Sequence, residues 1–336
     1  MNPSAASSPR VSRRNLATWA IATGLSVCGI SAMAQTADNY PNKAIRMVIP
    51  FTPGGSADIL GRAMGHELTQ AWGQSVVPEN VAGAGGSIGA DRVAKAPSDG
   101  YTLLMGHVGT LAITPTLYPK LPYDPIKSFT PIAWVARVPN VLVVHPSLPV
   151  TDLKSFIAYA KANPGVINYS SGGNGSAAHM TMSYLSQQAG LQMQHVPYKG
   201  TAPAVNDLVA GQVQALFTGI PAVLAQIKAG QIKAIAVSSP QRNAILPDVP
   251  TVAEAAVPGF EADQWYGIVG PAGMPKDVVQ KINGQINAAL KSPAILERLQ
   301  SEGAQPMPSS PETFGDLIQK DLARWSKVIK DSGMTL

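Results

Sequence analysis

Along the chain, short apolar runs rich in β-branched residues alternate with longer stretches whose apolar positions recur every three to four residues. The first kind suits a strand buried on both faces, and the second suits a helix with one apolar stripe. On this pattern residues 45–50, 75–78 and 102–105 are predicted strands, with helices over 57–70 and 88–96. Further strands are predicted over 141–145, 167–170, 194–198 and 213–218, and helices over 154–162, 178–188, 204–210, 275–290 and 310–330. Leu60, Met64 and Leu68 form one stripe of the first helix. Pro203 stands near the first turn of the 204–210 helix, where a missing N–H is no loss, and Gly211 stands just beyond its end as a stop.

This βαβα rhythm predicts an α/β protein in which mostly parallel sheets are covered by helices. The length suggests two domains. Residues 137–140 and 259–263 lie between strand-like runs and read as two crossings of the chain. They would make residues 139–262 an inserted second domain. Residues 35–138 and 263–336 would form the first domain, with a ligand cleft between the two.

The first 34 residues stand apart. Arg10, Arg13 and Arg14 precede an apolar stretch over 16–30, and Ala32-Met33-Ala34 follows as a small-x-small cleavage site. This order predicts a cleaved signal peptide, residues 1–34, and a periplasmic product. The apolar stretch is short for a membrane span, which needs about 20 residues. Arg13-Arg14 also leaves twin-arginine export open beside the general route.

Removing those residues changes the charge picture. Of 25 Lys and Arg, three leave with the signal, so 22 face 20 Asp and Glu. No basic run follows, which argues against a nucleic-acid partner. Cys28 is the only cysteine, so the mature chain has no disulfide and no thiol chemistry.

Candidate chemistry lies in the loops that follow strands, where open α/β sheets bind ligands. Pro50-Phe51-Thr52-Pro53-Gly54-Gly55-Ser56-Ala57-Asp58 joins a strand to a helix. Its glycines admit a ligand to backbone N–H groups, and the helix start favours an anion. Phe51, Gly55 and Ser56 are candidate ligand contacts, and Asp58 is a candidate contact or a cap of the loop. A second loop, Ser170-Ser171-Gly172-Gly173-Asn174-Gly175-Ser176-Ala177-Ala178-His179, supplies Ser170, Ser171, Gly173 and Ser176. His179 either reaches the ligand or braces its own loop. His107 and Gly109 end another strand, Thr218 ends a fourth, and Trp265 lies just past the second crossing, where it could stack on a ligand.

Enzymatic patterns fit poorly. Gly83-Ala84-Gly85-Gly86-Ser87-Ile88 misses the dinucleotide spacing, because Ile88 stands where the third glycine belongs. No G-x-S-x-G elbow occurs around Ser176, and the five histidines lack H-E-x-x-H spacing. A binding protein without cofactor or metal is therefore expected, with a hydrolase as the lesser alternative.

Together the 50–58 loop, Gly83-Ala84-Gly85-Gly86, Lys95-Ala96-Pro97-Ser98-Asp99-Gly100-Tyr101, Leu121-Pro122-Tyr123-Asp124-Pro125, the 170–179 loop, His195-Val196-Pro197-Tyr198-Lys199-Gly200 and Leu246-Pro247-Asp248-Val249-Pro250-Thr251 carry a resemblance. The chain resembles the receptors of tripartite tricarboxylate transporters, the Bug-type periplasmic solute-binding proteins. The resemblance spans residues 40–333. It implies a two-domain flytrap fold and a small carboxylate held by backbone amides and hydroxyls: a di- or tricarboxylate, or an aromatic one such as terephthalate. It also implies delivery to integral membrane subunits, by a receptor expected to be monomeric. An exported carboxylate sensor is the alternative. Thr218 after Phe217 removes a partner for an amino group, and His107 with Trp265 favours a flat or aromatic carboxylate.

Overall fold

The computed structural model describes residues 39–118, 120–301 and 303–332; the expected signal peptide lies outside them. From the N-terminus come β1 (Ile45–Ile49), α1 (Ser56–Trp72), β2 (Val76–Asn80), α2 (Ser87–Ala94), β3 (Thr102–His107), α3 (Thr114–Leu117) and β4 (Phe129–Val138). Then follow β5 (Asn140–Val144), α4 (Leu153–Ala162), β6 (Asn168–Ser171), α5 (Ala177–Ala189), β7 (Gln194–Pro197), α6 (Thr201–Val209), β8 (Ala215–Gly219), α7 (Leu224–Lys228), β9 (Lys233–Val237) and α8 (Val252–Ala255). The chain ends with β10 (Gln264–Pro271), α9 (Lys276–Ala289), α10 (Pro293–Ser301), β11 (Gln305–Pro306) and α11 (Pro311–Ser332).

These strands form two sheets. One is ordered β11-β4-β10-β3-β1-β2, the other β7-β6-β8-β5-β9. Both are mixed, where the rhythm of the sequence predicted mostly parallel ones. β1 pairs in parallel with β2 and β3, whereas β10 runs antiparallel to β3 and β4. In the second sheet β6 is parallel to β7 and β8, and β5 is antiparallel to β8 and β9.

The reversed strands have a common cause. β4 runs into β5 with only Pro139 between them, so β5 starts where the sheets meet and runs away from that edge. β10 is the first strand after the chain returns, and it does the same. The other long strands run toward the meeting edge and end in the loops that face it.

Helix ends follow their local residues. α1 closes on Gly73 and α5 on Gly190, both left-handed, as the end of a helix favours. Each sheet has its own apolar layer. Ile45, Met47, Leu60 and Ile268 are buried under the first, and Val141, Leu208, Leu216 and Ile232 under the second. A third cluster, including Leu104, Leu142, Phe217, Phe260, Trp265 and Phe314, runs continuously between the sheets. Among the described residues no helix is long and apolar enough to cross a membrane.

Candidate functional site

Three helix N-termini converge where the sheets meet. α1 begins after Gly55 and α6 after Gly200, neither with a side-chain cap; α5 begins after Ser176, whose Oγ accepts the His179 amide at 3.3 Å. First-turn N–H groups have no partner within their own helix, and the dipole end is positive, so such termini attract anions. The cavity between them measures about 20 Å³, on the order of one water-sized sphere. Phe51, Gly55, Ser56, Ala57, His107, Gln264 and Tyr266 line it from the first sheet. Gly172, Ser176, Ala177, Ala178, Thr201 and Thr218 line it from the second. None of these side chains is acidic, and none is Lys or Arg.

Close packing seals the rim. A Cβ on Gly200 would fall 1.9 Å from Thr52 Oγ1, and one on Gly85 would fall 2.7 Å from the Asn174 carbonyl oxygen. Both contacts join the two sheets' loops, and only glycine leaves room for them. Tyr118 Oη adds a bond across the same seam, donating to the Asn174 carbonyl at 3.2 Å.

The expected site residues divide into three groups. Phe51, Gly55, Ser56, His107, Ser176 and Thr218 stand on the cavity wall. Asp58, Gly109, Ser170, Ser171, Gly173 and His179 stand behind it and shape it. Asp58 Oδ2 accepts the Gly54 amide at 3.0 Å, and its Oδ1 accepts Arg62 Nε and Asn80 Nδ2, both at 2.9 Å. Burial by itself raises the Asp58 pKa, but these bonds outweigh it and hold the carboxyl below its usual range. Gly109 donates its amide to His107 Nδ1 at 3.0 Å. Ser170 Oγ donates to the Ala204 carbonyl at 3.2 Å.

Ser171 Oγ accepts the Gly173 amide at 3.1 Å and lies 2.6 Å from His195 Nε2. His179 Nδ1 accepts the Gly175 amide at 3.1 Å. The His179 and His195 rings stack with centroids 3.9 Å apart. Burial pushes the His179 pKa down to about 4; burial and the neighbouring His179 push His195 down to about 3.

Trp265 forms the third group, outside the cavity. Its Nε1 donates to Asp321 Oδ2 at 2.7 Å and its ring packs edge-on against Phe314. Successive side chains of a strand point to opposite faces, so Gln264 and Tyr266 face the cavity while Trp265 faces α11. Trp265, expected to stack on a ligand, instead packs against α11 away from the cavity, which leaves His107 as the one of that pair on the cavity wall.

Gln264 was not among the expected residues. Its Oε1 accepts His107 Nε2–H at 2.8 Å and the Tyr266 hydroxyl at 2.6 Å. Because Nδ1 of His107 accepts the Gly109 amide, its proton sits on Nε2, and burial holds the ring neutral down to about 4. The Tyr266 hydroxyl is also bonded to Ser56. With these groups paired, the Phe51–His107–Tyr266 wall presents mainly ring surface, while the donors stand at the helix starts. A lone amide opening the apolar run Trp265–Val269 was the available signal in the sequence.

Two mixed sheets joined by two adjacent crossings, with anion-favouring helix starts between them, define a periplasmic binding protein. The solved periplasmic binding protein BugD has the same fold, at 36% identity and a TM-score of 0.85 over 88% of this chain and 99% of that one. Residues 60–334 match the tripartite tricarboxylate transporter family receptor, and the chain belongs to that family. A structure of R. palustris Rpa4515 with adipate is 37% identical, with a TM-score of 0.86 over 88% of this chain and 99% of that chain. MatC from Rhodopseudomonas palustris with bound malate is 34% identical, with a TM-score of 0.83 over 86% and 100% of the respective chains. The family consists of solute-binding receptors, and small carboxylates are the ligands in the last two structures.

Proposed function

We propose that this protein is an exported receptor for a small aliphatic dicarboxylate, which it captures by closing its two domains and delivers to the membrane subunits of a tripartite transporter. The observation that carries this reading is the convergence of the α1, α5 and α6 N-termini, drawn from both sheets, on a buried wall without charged side chains. Hydrogen bonds to a charged group contribute roughly 1.5–3 kcal/mol net each. Several of them meet the −8 kcal/mol or so of micromolar binding after association costs.

In this reading residues 35–138 and 263–336 form one domain and 139–262 the other, hinged at the two crossings. Phe51, Gly55, Ser56, His107, Ser176 and Thr218 contact the ligand, with Gln264, Tyr266 and Thr201. A diacid is larger than the present cavity, so it enters with the Gly200–Thr52 and Gly85–Asn174 contacts parted, and the two loops then close around it on a wider cavity than this one. Closure excludes water, which strengthens each bond, and marks the loaded form for the transporter. The positive start, apolar stretch and Ala32-Met33-Ala34 site support export through a signal peptide in residues 1–34.

The test is a thermal-shift screen of the purified protein with adipate, malate and terephthalate, followed by calorimetry and recovery of the ligand. A ligand bound only by the folded state adds ~2.7 kcal/mol at a hundredfold excess over Kd. Adipate or malate shifting the transition, and returning intact, is the expected result. No shift with any carboxylate overturns the reading, a response to terephthalate alone overturns the aliphatic assignment, and turnover of the ligand makes the protein an enzyme.

A further inference from the structure

Gln264 belongs both to the cavity wall and to the crossing between the sheets. It also lines a second cleft of about 250 Å³ on the far side of the crossing, with Arg137, Asp263 and Trp265. Gln264 thus borders both hollows. The two crossings run side by side there, with Gln264 paired to Val138 and Trp265 to Arg137 in the β4–β10 ladder.

The side chains form an unbroken polar path. On the cavity side, Gln264 Oε1 receives His107 Nε2–H and the Tyr266 hydroxyl. At its other end Gln264 Nε2 donates to Asn140 Oδ1. Asn140 is the first residue of β5 and is fully buried. Its Nδ2 donates to the Ala262 carbonyl at 2.6 Å, across the second crossing, and to Thr181 Oγ1 at 3.2 Å. Thr181 sits in α5, the helix whose start lines the cavity from the second sheet. The Asn140 amide donates to Ser238 Oγ at 2.8 Å, Ser238 Oγ donates to Asp263 Oδ1 at 2.7 Å, and Arg137 Nε donates to Asp263 Oδ2 at 2.9 Å.

We propose that the Gln264–Asn140 amide pair is the positioning device that couples the ligand cavity to the hinge. The inference deepens the reading of this cavity as the carboxylate site and rests on it. Gln264 takes its orientation from the cavity wall and passes it to Asn140, which is tied in turn to both crossings and to α5. A domain rotation about residues 138–140 and 262–264 has to move one of these bonds. Only an amide serves at position 264, because one end must accept two donors while the other donates. A carboxylate there accepts but cannot donate to Asn140, and an apolar side chain does neither. Gln264 is thus a positioning residue for closure, whether or not it touches the ligand.

The test reads the hinge directly. Cys28 is the only native cysteine, so in a Cys28→Ser background exposed Lys95→Cys and Lys161→Cys carry one spin label on each side of the cleft. Adipate is the probe. In the otherwise unaltered protein, adipate is expected to shorten the interlabel distance. Gln264→Met is expected to shift or broaden the ligand-free distance distribution and to weaken adipate binding at least tenfold. Adding Asn140→Ala to that variant should weaken binding less than twofold further, because the pair acts as one unit. A ligand-free distribution unchanged by Gln264→Met overturns the proposal, and so do penalties that multiply in the double variant. Should Gln264→Met not fold, Gln264→Asn keeps both amide functions at shorter reach. It is expected to lose tenfold and to recover when Asn140→Gln restores the span; absence of recovery overturns the coupling. If labels in the parent protein do not respond to adipate, the adipate reading falls, and the ligand-free distances of the same variants still decide the relay.

Discussion

The loop before α1 and the loop before α5 do the same work with different supports. Each follows a strand, is rich in glycine and aims a helix start at the cavity. The first is braced by a charge: Asp58 holds the Gly54 amide, Asn80 and Arg62, and the Arg62 side chain is 49% exposed. The second is braced by neutral groups: Ser171, His179 and His195 hold Gly173 and Gly175, with the imidazoles stacked. The same outward geometry therefore carries two different sensitivities. An anionic brace fails only when its carboxylate is protonated, while an imidazole acceptor fails when the ring takes a proton. Acid should thus find the second loop first.

The largest expected effect tests that order. The fold holds His107 and His179 neutral to about 4, below the usual histidine value near 6.5. Above that value both states are neutral and nothing is lost. Below it the unfolded chain binds protons that the fold refuses, so stability falls with pH. The slope grows from half its full value at pH 6.5 toward about 1.4 kcal/mol per pH unit for each histidine, so the pair loses about 3 kcal/mol between pH 6.5 and 5, and His195, held neutral still lower, adds to the loss. Urea titrations across that range measure the loss, and His179→Gln, whose amide can still accept from Gly175, should flatten the slope. Asp58 contributes nothing in this window. Its pKa is lowered, so its stabilisation persists as pH falls and goes only below the ordinary carboxylate range. A flat profile from 6.5 to 5, or one unaltered by His179→Gln, breaks the contrast between the loops.

Asp58→Ala comes next. It leaves the Gly54 amide and one of the two Asn80 Nδ2 bonds without an acceptor, the other still reaching the Phe51 carbonyl, at a cost of about 2 kcal/mol in chemical denaturation. It should weaken ligand binding through the loop and not through a lost contact. Ser176→Ala removes the α5 cap, at about 1 kcal/mol of stability. Because Ser176 also lines the cavity, calorimetry should show several-fold weaker carboxylate binding in a protein that still folds. Unchanged affinity would remove Ser176 from the contact set. The smallest effect is salt: screening the half-exposed Arg62–Asp58 pair should cost under about 0.5 kcal/mol, with no matching change in the second loop.

The two loops also differ from the rest of the site in how they could be read beforehand. Their Gly- and Ser-rich stretches stand between a strand pattern and a helix pattern, and four of their expected residues, Phe51, Gly55, Ser56 and Ser176, line the cavity. Position on a wall or behind it was less legible. Asp58 and His179 carry the right chemistry at the right end of a helix, yet each turns back on its own loop because an amide there needs an acceptor. The stacked partner of His179 is 16 residues away on the next strand, a distance that only the parallel pairing of β6 and β7 closes.

The sequence by itself determined the α/β class and many of the helix starts and stops, and it pointed to the strand-end loops that line the cavity. Those features are written in local chemistry: apolar period, glycine, proline and capping side chains. Tertiary structure alone decided the faces of β10. Every residue of that strand is buried, so no polar–apolar alternation marks which side turns to the cavity. Packing of Trp265 against Phe314 and Asp321 sends it toward α11 and leaves Gln264 and Tyr266 for the cavity wall. The antiparallel entry of β5 and β10 was decided the same way: a chain that crosses between two sheets at their meeting edge must run away from that edge when it arrives.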